Sequence, residues 1–311
     1  MLLGVDVGGT FTDAVLVDGV RVVTAKAPTT PADQSEGVLA ATTAALDAAG
    51  AGPQDVQLFA HGMTVATNAL LEGKGARTVL LATAGFTDVV ELGRQARADL
   101  YRLCAAHPPP LVPPERRVAV PERMGPDGVV RELADAAAVA REAIGLEPEA
   151  IAICLLHADR HPEHERRLAE ALEGAGVHVS LSHEVVGTFR EYERAATTEV
   201  DAALSPLLAG YLEALIARAE EAGLPEPAIM QSSGGLTDAK GAAAHAAFTV
   251  LSGPAGGAAA AMLVAAATDE PDLLCFDMGG TSCDVCVVQD GAVRETAGRE
   301  VGGRALALPM V

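Results

Sequence analysis

Two segments of the 311-residue chain repeat one pattern, and this repeat limits the folds that the chain can adopt. Residues 2–19 read LLGVDVGGTFTDAVLVDG, and residues 273–291 read LLCFDMGGTSCDVCVVQDG. Each copy has an apolar strand, the pattern D-x-G-G-T-x-x-D, a second apolar strand and a D-G turn. The repeat therefore predicts two β-hairpins of the same kind, one near each end of the chain.

The tip of each hairpin carries residues that suit phosphate binding. Paired glycines allow positive φ and let backbone N–H groups approach an anion, and the threonine adds a hydroxyl donor. The predicted phosphate contacts are Gly8, Gly9 and Thr10 in the first copy and Gly279, Gly280 and Thr281 in the second. A tight hairpin turn would also explain one Gly-Gly pair, but two copies favour phosphate binding.

An aspartate precedes each glycine pair. Asp6 and Asp277 would repel a bound phosphate unless a cation lay between the two groups. Carboxylate and phosphate oxygens are ligands that Mg²⁺ prefers. The two aspartates therefore predict a magnesium ion, bound directly or through water.

Strand-like and helix-like runs alternate along the chain, which predicts an α/β fold with largely parallel sheets. A domain boundary near residues 186–195 gives predicted domains of 1–188 and 189–311. Residues 56–60 predict a strand, 61–64 a loop and the following residues a helix that ends near Glu72. Asp33 and Glu36 predict a capping box at the start of a helix that ends at Gly50.

Composition and charge limit the kinds of binding partner and the cellular compartment that we expect. The net charge of −20 and the 3% content of aromatic residues argue against a nucleic-acid partner. The longest apolar run, residues 255–267, is shorter than the roughly 20 residues of a membrane span. Five scattered cysteines predict no disulfide framework, and no basic region precedes the first apolar run, so we expect a cytoplasmic protein without membrane association.

Two other patterns resemble metal or redox sites. Cys283 and Cys286 form a C-x-x-C, but the surrounding residues predict a strand that places the two thiols on opposite faces. Four side chains crowd one segment: His157, Asp159, His161 and His164. Pro162 predicts a helix start that turns His164 away from the others, so we expect no metal there.

Two phosphate-binding hairpins that grip one nucleotide resemble the two-lobed, ribonuclease H-like ATPase fold of actin, sugar kinases and chaperone ATPases. In that superfamily a helix rich in small residues packs at the hinge before the second hairpin. Residues 252–261, SGPAGGAAAA, fit that place and composition. The resemblance therefore implies ATP as the ligand.

Seven further segments in order are similar to the hydantoinase A/5-oxoprolinase family. They are HGMTVATNALLEGKGART (61–78), GFTDVVELGRQ (85–95), SHEV (182–185), EYERAATT (191–198), MQSSGG (230–235), SGPAGG (252–257) and DMGGTSCDV (277–285). The resemblance implies ATP-dependent opening of a small cyclic amide, of the 5-oxoproline or hydantoin type, through phosphorylation of its carbonyl oxygen. It assigns Asp6, Asp13 and Asp277 to Mg²⁺ binding and water positioning, with Asp284 a weaker candidate.

The same resemblance suggests where the cyclic amide binds. His61, Thr64 and Asn68 lie where a loop opens a helix, and free N–H groups there suit a carbonyl or carboxylate. Helix capping and a hydrogen-bonded loop histidine would explain these three residues equally simply. Arg94, followed by Gln95, is a candidate clamp for a substrate carboxylate, although such a pair is also common on solvated surfaces.

The family pattern continues past residue 311, so the resemblance implies an incomplete second lobe without a nucleoside pocket. We expect the missing C-terminal part or a hydantoinase B-type subunit as partner. Alone, the chain is expected to hydrolyse no lactam and to bind ATP no tighter than about 1 mM. It is also expected to self-associate or to need a partner chain to stay soluble. The alternatives are a non-catalytic remnant, a subunit of an ATP-dependent ketone carboxylase, and a small-molecule kinase on the same fold.

Overall fold

The computed structural model describes residues 1–30, 33–278 and 283–311. The strands are β1 (Leu2–Val7), β2 (Phe11–Asp18), β3 (Arg21–Pro28), β4 (Leu58–Met63), β5 (Thr78–Thr83), β6 (Arg117–Val120), β7 (Arg123–Gly125), β8 (Gly128–Arg131), β9 (Ala150–Cys154), β10 (His178–Leu181), β11 (Pro227–Met230), β12 (Leu236–Thr237), β13 (Leu273–Met278), β14 (Cys283–Gln289), β15 (Ala292–Val293), β16 (Arg299–Val301) and β17 (Arg304–Leu306). The helices are α1 (Gln34–Ala49), α2 (Val65–Glu72), α3 (Val89–Leu92), α4 (Ala136–Ile144), α5 (Glu163–Leu172), α6 (Ser182–Val185), α7 (Glu191–Glu221), α8 (Ala239–Ala244) and α9 (Ser252–Thr268). The alternation of strands and helices confirms the predicted mixed α/β class with parallel pairing.

The chain forms two compact units. The first unit comprises Met1–Asn68, Leu208–Ala297 and Pro309–Val311, and the second comprises Ala69–Leu207 and Gly298–Leu308. This division does not coincide with the predicted domains, 1–188 and 189–311. The physical reason is that β11, late in the chain, pairs in parallel with β4 and so joins the sheet built by the first residues.

The first unit is built on a six-stranded sheet in the order β12-β11-β4-β1-β2-β3. β1 and β2 form the predicted first hairpin, and β4 adds to β1 in parallel. Leu3, Val5, Ala14 and Leu16 alternate onto one buried face of this hairpin, which α1 covers. α1 begins at Asp33, whose side chain accepts a hydrogen bond from the N–H of Ser35, and ends at Gly50 in the left-handed conformation.

The second hairpin, β13–β14, also lies in the first unit and forms a three-stranded sheet with β15. One face packs on α9, where Ala261 and Ala265 contact Val288 in a small apolar cluster. The opposite face carries the exposed side chains of Leu274, Phe276, Met278, Val285 and Val287.

The second unit contains a four-stranded sheet in the order β10-β9-β5-β6, and all three pairings in it are parallel. Its two central strands, β5 and β9, are buried on both faces, as expected when helices cover a parallel sheet on each side. One face packs on α4 and α5, and the other contacts Ala195 and Ala202 of α7.

Two local predictions are wrong. Residues 61–63 continue strand β4 instead of forming a loop, because β1 extends as far as Val7 and offers them a parallel partner. The capping box is incomplete, since Glu36 forms an ion pair with Arg218 while Asp33 alone caps α1.

One helix among the described residues, α7, is long and apolar enough to cross a membrane by length and composition alone. Half of its most apolar window is buried inside the protein, and the helix carries buried Arg194, Glu199 and Asp201. These features are typical of a core helix, and the absence of membrane association stays a prediction.

Candidate functional site

The first hairpin places two predicted site residues opposite each other. Asp6 on β1 and Asp13 on β2 are register partners. The N–H of Gly8 donates to the carbonyl oxygen of Phe11 at 3.0 Å and closes the turn, so this amide is used within the hairpin. Gly9 and Thr10 lie exposed at the tip. Of the predicted phosphate contacts in this copy, Gly9 and Thr10 are therefore the two presented to solvent.

The second hairpin repeats this arrangement as far as the structure describes it. Asp277 and Asp284 are register partners across β13 and β14, as Asp6 and Asp13 are in the first copy. Gly279, Gly280 and Thr281, the predicted phosphate contacts of the second tip, lie outside the described residues.

The carboxylate of Asp6 lies between β4 and the start of α9. A Cβ atom added at Gly62 of β4 would stand 2.9 Å from Asp6 Oδ1, and one added at Gly253 would stand 3.8 Å away. The hydroxyl of Ser252 donates to the carbonyl oxygen of Met63 at 2.9 Å, which joins the first turn of α9 to the end of β4. A side chain at position 62 would therefore require the carboxylate of Asp6 to shift.

Negative charge accumulates at this point. The surrounding protein raises the pKa of Asp6, first through partial desolvation and then through the charges of Asp13 and Asp277. Asp6 nevertheless keeps access to solvent, so its desolvation is incomplete. Lys26 Nζ lies 2.5 Å from Asp13 Oδ1, and this pair is half-exposed.

The carboxylates of Asp6 and Asp277 are oxygen ligands of the kind that Mg²⁺ binds, and a divalent cation between them would relieve their repulsion. Within residues 1–30, 33–278 and 283–311, no three His, Cys, Asp or Glu side chains come close enough to enclose a metal. A magnesium ion here would therefore need phosphate oxygens and water to complete its coordination, as is usual at nucleotide sites.

His61 is buried in β4 and is not presented to a substrate, which corrects the predicted role. Its Nδ1 lies 3.2 Å from the carbonyl oxygen of Val5, and its Nε2 lies 2.7 Å from the hydroxyl of Tyr211. A carbonyl oxygen only accepts, so Nδ1 carries the proton and Nε2 accepts from Tyr211. Burial lowers the pKa of His61 to about 4, and the ring is neutral.

Thr64 and Asn68 join the start of α2 to the end of β1. The hydroxyl of Thr64 donates to the carbonyl oxygen of Val7 at 2.9 Å, and Asn68 Nδ2 donates to Thr64 Oγ1 at 3.3 Å. Neither bond is a side-chain cap of a backbone N–H, and both side chains remain partly exposed. Their contact with a substrate stays a prediction.

Arg94 binds a carboxylate of the protein itself. Its Nε and Nη2 both donate to the carboxylate of Glu193, at 2.8 and 2.6 Å. This bidentate pair lies within the second unit and occupies the fork that was expected to hold a substrate carboxylate.

The two metal-like patterns have other partners. Cys283 faces Met278 and Cys286 faces Cys275 across the hairpin, so the predicted placement of the two thiols on opposite faces is confirmed. Buried His164 pairs with Glu122 at 2.7 Å, while His161 Nε2 lies 3.2 Å from the carbonyl oxygen of Pro126.

Sequence reasoning missed the residues that surround Asp6. Gly62 stands inside a strand, and a glycine there often marks a close approach of another group, so its position carried a usable signal. The pairing of Lys26 with Asp13 follows from the register of β2 and β3, which local sequence does not specify.

These features define a mixed α/β protein in which aspartates of two repeated hairpins are close enough to influence one another. Two family models cover almost the whole chain: the hydantoinase/oxoprolinase N-terminal region matches residues 2–176, and the hydantoinase/oxoprolinase model matches residues 194–311. The chain belongs to the hydantoinase/oxoprolinase family.

Its similarity extends to characterised relatives. The chain is 34% identical to the caprolactamase subunit alpha of Pseudomonas jessenii, across 99% of this chain and 46% of that protein. It is 35% identical to 5-oxoprolinase 1 of Arabidopsis thaliana, across 82% of this chain and 22% of the relative.

Solved structures agree with these relationships. The nucleotide-free structure of acetone carboxylase superposes with a TM-score of 0.89 at 28% identity, and the ATP-dependent caprolactamase from P. jessenii with 0.87 at 32% identity. Each comparison covers all of this chain and 47% of the solved one. The chain thus spans about half the length of these two relatives, and relatives of this family include ATP-dependent enzymes built from several subunits.

Proposed function

We propose that this chain is the phosphate-handling part of an ATP-dependent enzyme that opens a small cyclic amide, of the 5-oxoproline or hydantoin type. Gly9 and Thr10 of the first hairpin, with Gly279, Gly280 and Thr281 of the second, contact the phosphates. Asp6 and Asp277 would hold Mg²⁺, which would neutralise phosphate charge and orient the transferred group. The two hairpins belong to a two-lobed fold of the actin type.

One observation carries this proposal. Asp6 and Asp277 occupy equivalent positions in two sequence repeats, and their charges are close enough to influence one another in the folded chain. Two like charges brought together raise the free energy of the empty site. The arrangement is useful when a cation and an anionic ligand bind there.

The chemistry follows from the stability of amides, whose nitrogen is a poor leaving group. The carbonyl oxygen of the cyclic amide attacks the γ-phosphorus of ATP, and ADP leaves. Water then adds to the activated carbonyl carbon, and the ring C–N bond breaks to leave an acyl phosphate. A second water hydrolyses the acyl phosphate to the carboxylate and free phosphate. Asp13, held by Lys26, is the group that we assign to positioning water.

A second candidate is a subunit of an ATP-dependent ketone carboxylase. The TM-score of 0.89 with acetone carboxylase supports this reading as strongly as the caprolactamase match supports the first. Both reactions can use ATP to activate a carbonyl oxygen, so the assignments of Asp6 and Asp277 apply to either. A non-catalytic remnant or a small-molecule kinase fits the family match less well.

The names of the relatives support a multi-subunit assembly, because caprolactamase is described by its alpha subunit. We propose a hydantoinase B-type subunit, or the further half that longer relatives possess, as the partner of this chain. We place the assembly in the cytoplasm, and we expect neither nucleic acid nor a membrane among its partners.

The decisive experiment measures ADP release by the complete enzyme. Asp277→Asn keeps the size of the side chain but removes its charge, so turnover should fall at least about 100-fold with the fold intact. Asp127→Asn, an exposed turn residue of the second unit, is the matched control and should turn over normally. Wild-type turnover in Asp277→Asn would reject the assignment.

The choice of substrate is tested with the same assay. Caprolactam, 5-oxoproline and hydantoin are compared with acetone and acetophenone, the ketones being supplied with bicarbonate. Stimulation of ADP release by the cyclic amides alone supports the first candidate, and stimulation by the ketones alone supports the second.

A further inference from the structure

The second unit contains a pocket that the proposed function leaves unassigned. Its volume is about 600 Å³, which lies within the range typical of small-molecule sites. Prolines 108–110 with Val90, Leu92 and Leu111 form an apolar wall. Polar groups from α7, β16 and β17 line the pocket as well.

Buried polar atoms without hydrogen-bond partners cluster at this pocket. Glu199, on α7, is 1% exposed, and its Oε1 has no partner within the part of the chain that the structure describes. The same holds for Nε of Arg304, another lining residue. Buried polar groups are almost always hydrogen-bonded, so two such atoms in one pocket indicate that something else binds there.

The charges around Glu199 determine which hydrogen bonds it can make. Burial raises its pKa to about 8, although Arg117, the N–H of Val112 and Arg304 act in the opposite direction. At pH 7 the carboxyl is therefore mostly neutral, and its O–H can donate. The other charged or titratable groups of the pocket are Glu91, Arg94, His107, Tyr192 and Glu300.

Most of these charges are already compensated. Arg94 binds Glu193, and Arg117 Nη1 lies 3.0 Å from Glu91 Oε2. A cationic ligand would meet the guanidinium of Arg304 beside a neutral Glu199. An anionic ligand would meet Glu91 and Glu300, which line the same pocket. An uncharged ligand with a strong hydrogen-bond acceptor suits the two unpartnered donors best.

We propose that this pocket binds the carbonyl group of a small uncharged amide or ketone, with Glu199 and the Nε–H of Arg304 as donors to the carbonyl oxygen. The apolar wall of prolines and leucines contacts the hydrocarbon part of the molecule. The choice of amide or ketone rests on the proposed function, but the pocket lies wholly within the second unit and its binding can be measured without nucleotide.

The test titrates ε-caprolactam and cyclohexanone into the full 311-residue chain and follows binding by saturation-transfer NMR. The two probes distinguish an amide from a ketone. Hexylamine and hexanoate, of similar size, serve as the cationic and anionic probes. We expect binding of at least one neutral probe and weaker binding of both charged probes.

Substitutions show whether Glu199 binds the ligand as a hydrogen-bond donor or through a negative charge. Glu199→Gln keeps the volume and an N–H donor, so affinity for the neutral probe should stay within about threefold of wild type at pH 7. Glu199→Leu and Arg304→Met remove the donors and should each weaken binding at least tenfold. Arg131→Gln, an exposed position on β8, is the control and should bind normally. Circular dichroism confirms that each variant is folded.

The pH profile supplies a readout that a purely structural role would not change. With a pKa of about 8, the neutral fraction of Glu199 falls about tenfold between pH 7 and pH 9. Affinity for the neutral probe should fall by the same factor in wild type and stay level in Glu199→Gln.

Three results would overturn the proposal: no binding of either neutral probe, loss of binding in Glu199→Gln, or tighter binding of hexylamine. A parallel activity assay of Asp277→Asn in the complete enzyme keeps this outcome separate from the proposed function. If activity depends on Asp277 but the pocket binds no carbonyl compound, only the pocket proposal is rejected. If the pocket binds a carbonyl compound but activity does not depend on Asp277, only the assignment of the phosphate site is rejected.

Discussion

The two hairpins share one sequence pattern but bury opposite faces. In the first, Leu3 and Val5 are 1% and 3% exposed. The equivalent residues of the second, Leu274 and Phe276, are 73% and 65% exposed. In the second copy it is the other face, with Cys275 and Val288, that packs against a helix.

The cause is the helix that each hairpin meets. α1 lies against the Leu3 face of the first hairpin, where Gly37 permits the close approach of Thr12. α9 lies against the Cys275 face of the second. The shared pattern therefore specifies the hairpin and the opposed aspartates, while its neighbours decide which face becomes core.

The largest effect that tests this comparison is on stability. Leu3→Ala removes a fully buried side chain and should lower the free energy of unfolding by about 2–5 kcal/mol. Leu274→Ala, the same substitution at the equivalent position, should change it by less than about 0.5 kcal/mol. Urea unfolding of both variants measures the difference, and equal losses would contradict the opposite-face arrangement.

The next largest effect is a dependence of the free energy of unfolding on pH. It arises at the first hairpin, because His61 joins this hairpin to β4. The pKa of His61 falls from 6.5 in the unfolded chain to about 4 in the folded one. The neutral ring thus contributes stability that is complete above pH 6.5 and is lost as the pH falls towards 4. The loss should reach about 3 kcal/mol.

Chemical unfolding at pH 7 and pH 4 measures this loss, with His61→Leu as the comparison. That variant has no titrating ring at this position, so its stability should fall less over the same interval. An equal fall in both proteins would show that other groups cause the acid sensitivity.

A smaller effect concerns the exposed face of the second hairpin. Large exposed apolar patches favour association, so the 311-residue chain should self-associate at high concentration. Phe276→Glu places a charge in the middle of this face and should shift the chain towards monomer on a sizing column. Val20→Glu, at an exposed apolar position in the turn between β2 and β3, should leave the elution unchanged.

The smallest expected effect is a gain in stability from a substitution in the candidate site. Because the folded state raises the pKa of Asp6, ionised Asp6 disfavours folding, and this penalty appears as pH rises through the raised pKa. Asp6→Asn should therefore be slightly more stable than wild type at pH 7 without magnesium. Differential scanning calorimetry tests the sign, and a lower melting temperature would contradict the electrostatic argument.

Much of the fold could be predicted because local periodicity carries it. The hairpin strands, the left-handed Gly50 after α1, the long α7 with Pro206 inside it, and the small-residue helix α9 all follow from spacing and turn residues. Each of these signals lies within a few residues of the element that it specifies.

The candidate site could be predicted only in part. The repeat identified Asp6, Asp13 and Asp277 without reference to any contact. It did not indicate that Arg94 binds Glu193, since 99 positions separate the two side chains. It also did not indicate that Gly62 contacts the carboxylate of Asp6 from a parallel strand.

By itself, the sequence determined the family, the α/β class and the paired hairpins with their aspartates. Tertiary structure decided that β11 returns to the sheet of β1, that His61 is buried with both nitrogens bonded, and that the hairpins bury opposite faces. The physical reason is the separation along the chain between the residues that interact. Backbone turns and side-chain alternation depend on neighbouring residues, whereas burial and ion pairing depend on whichever distant segment packs against them.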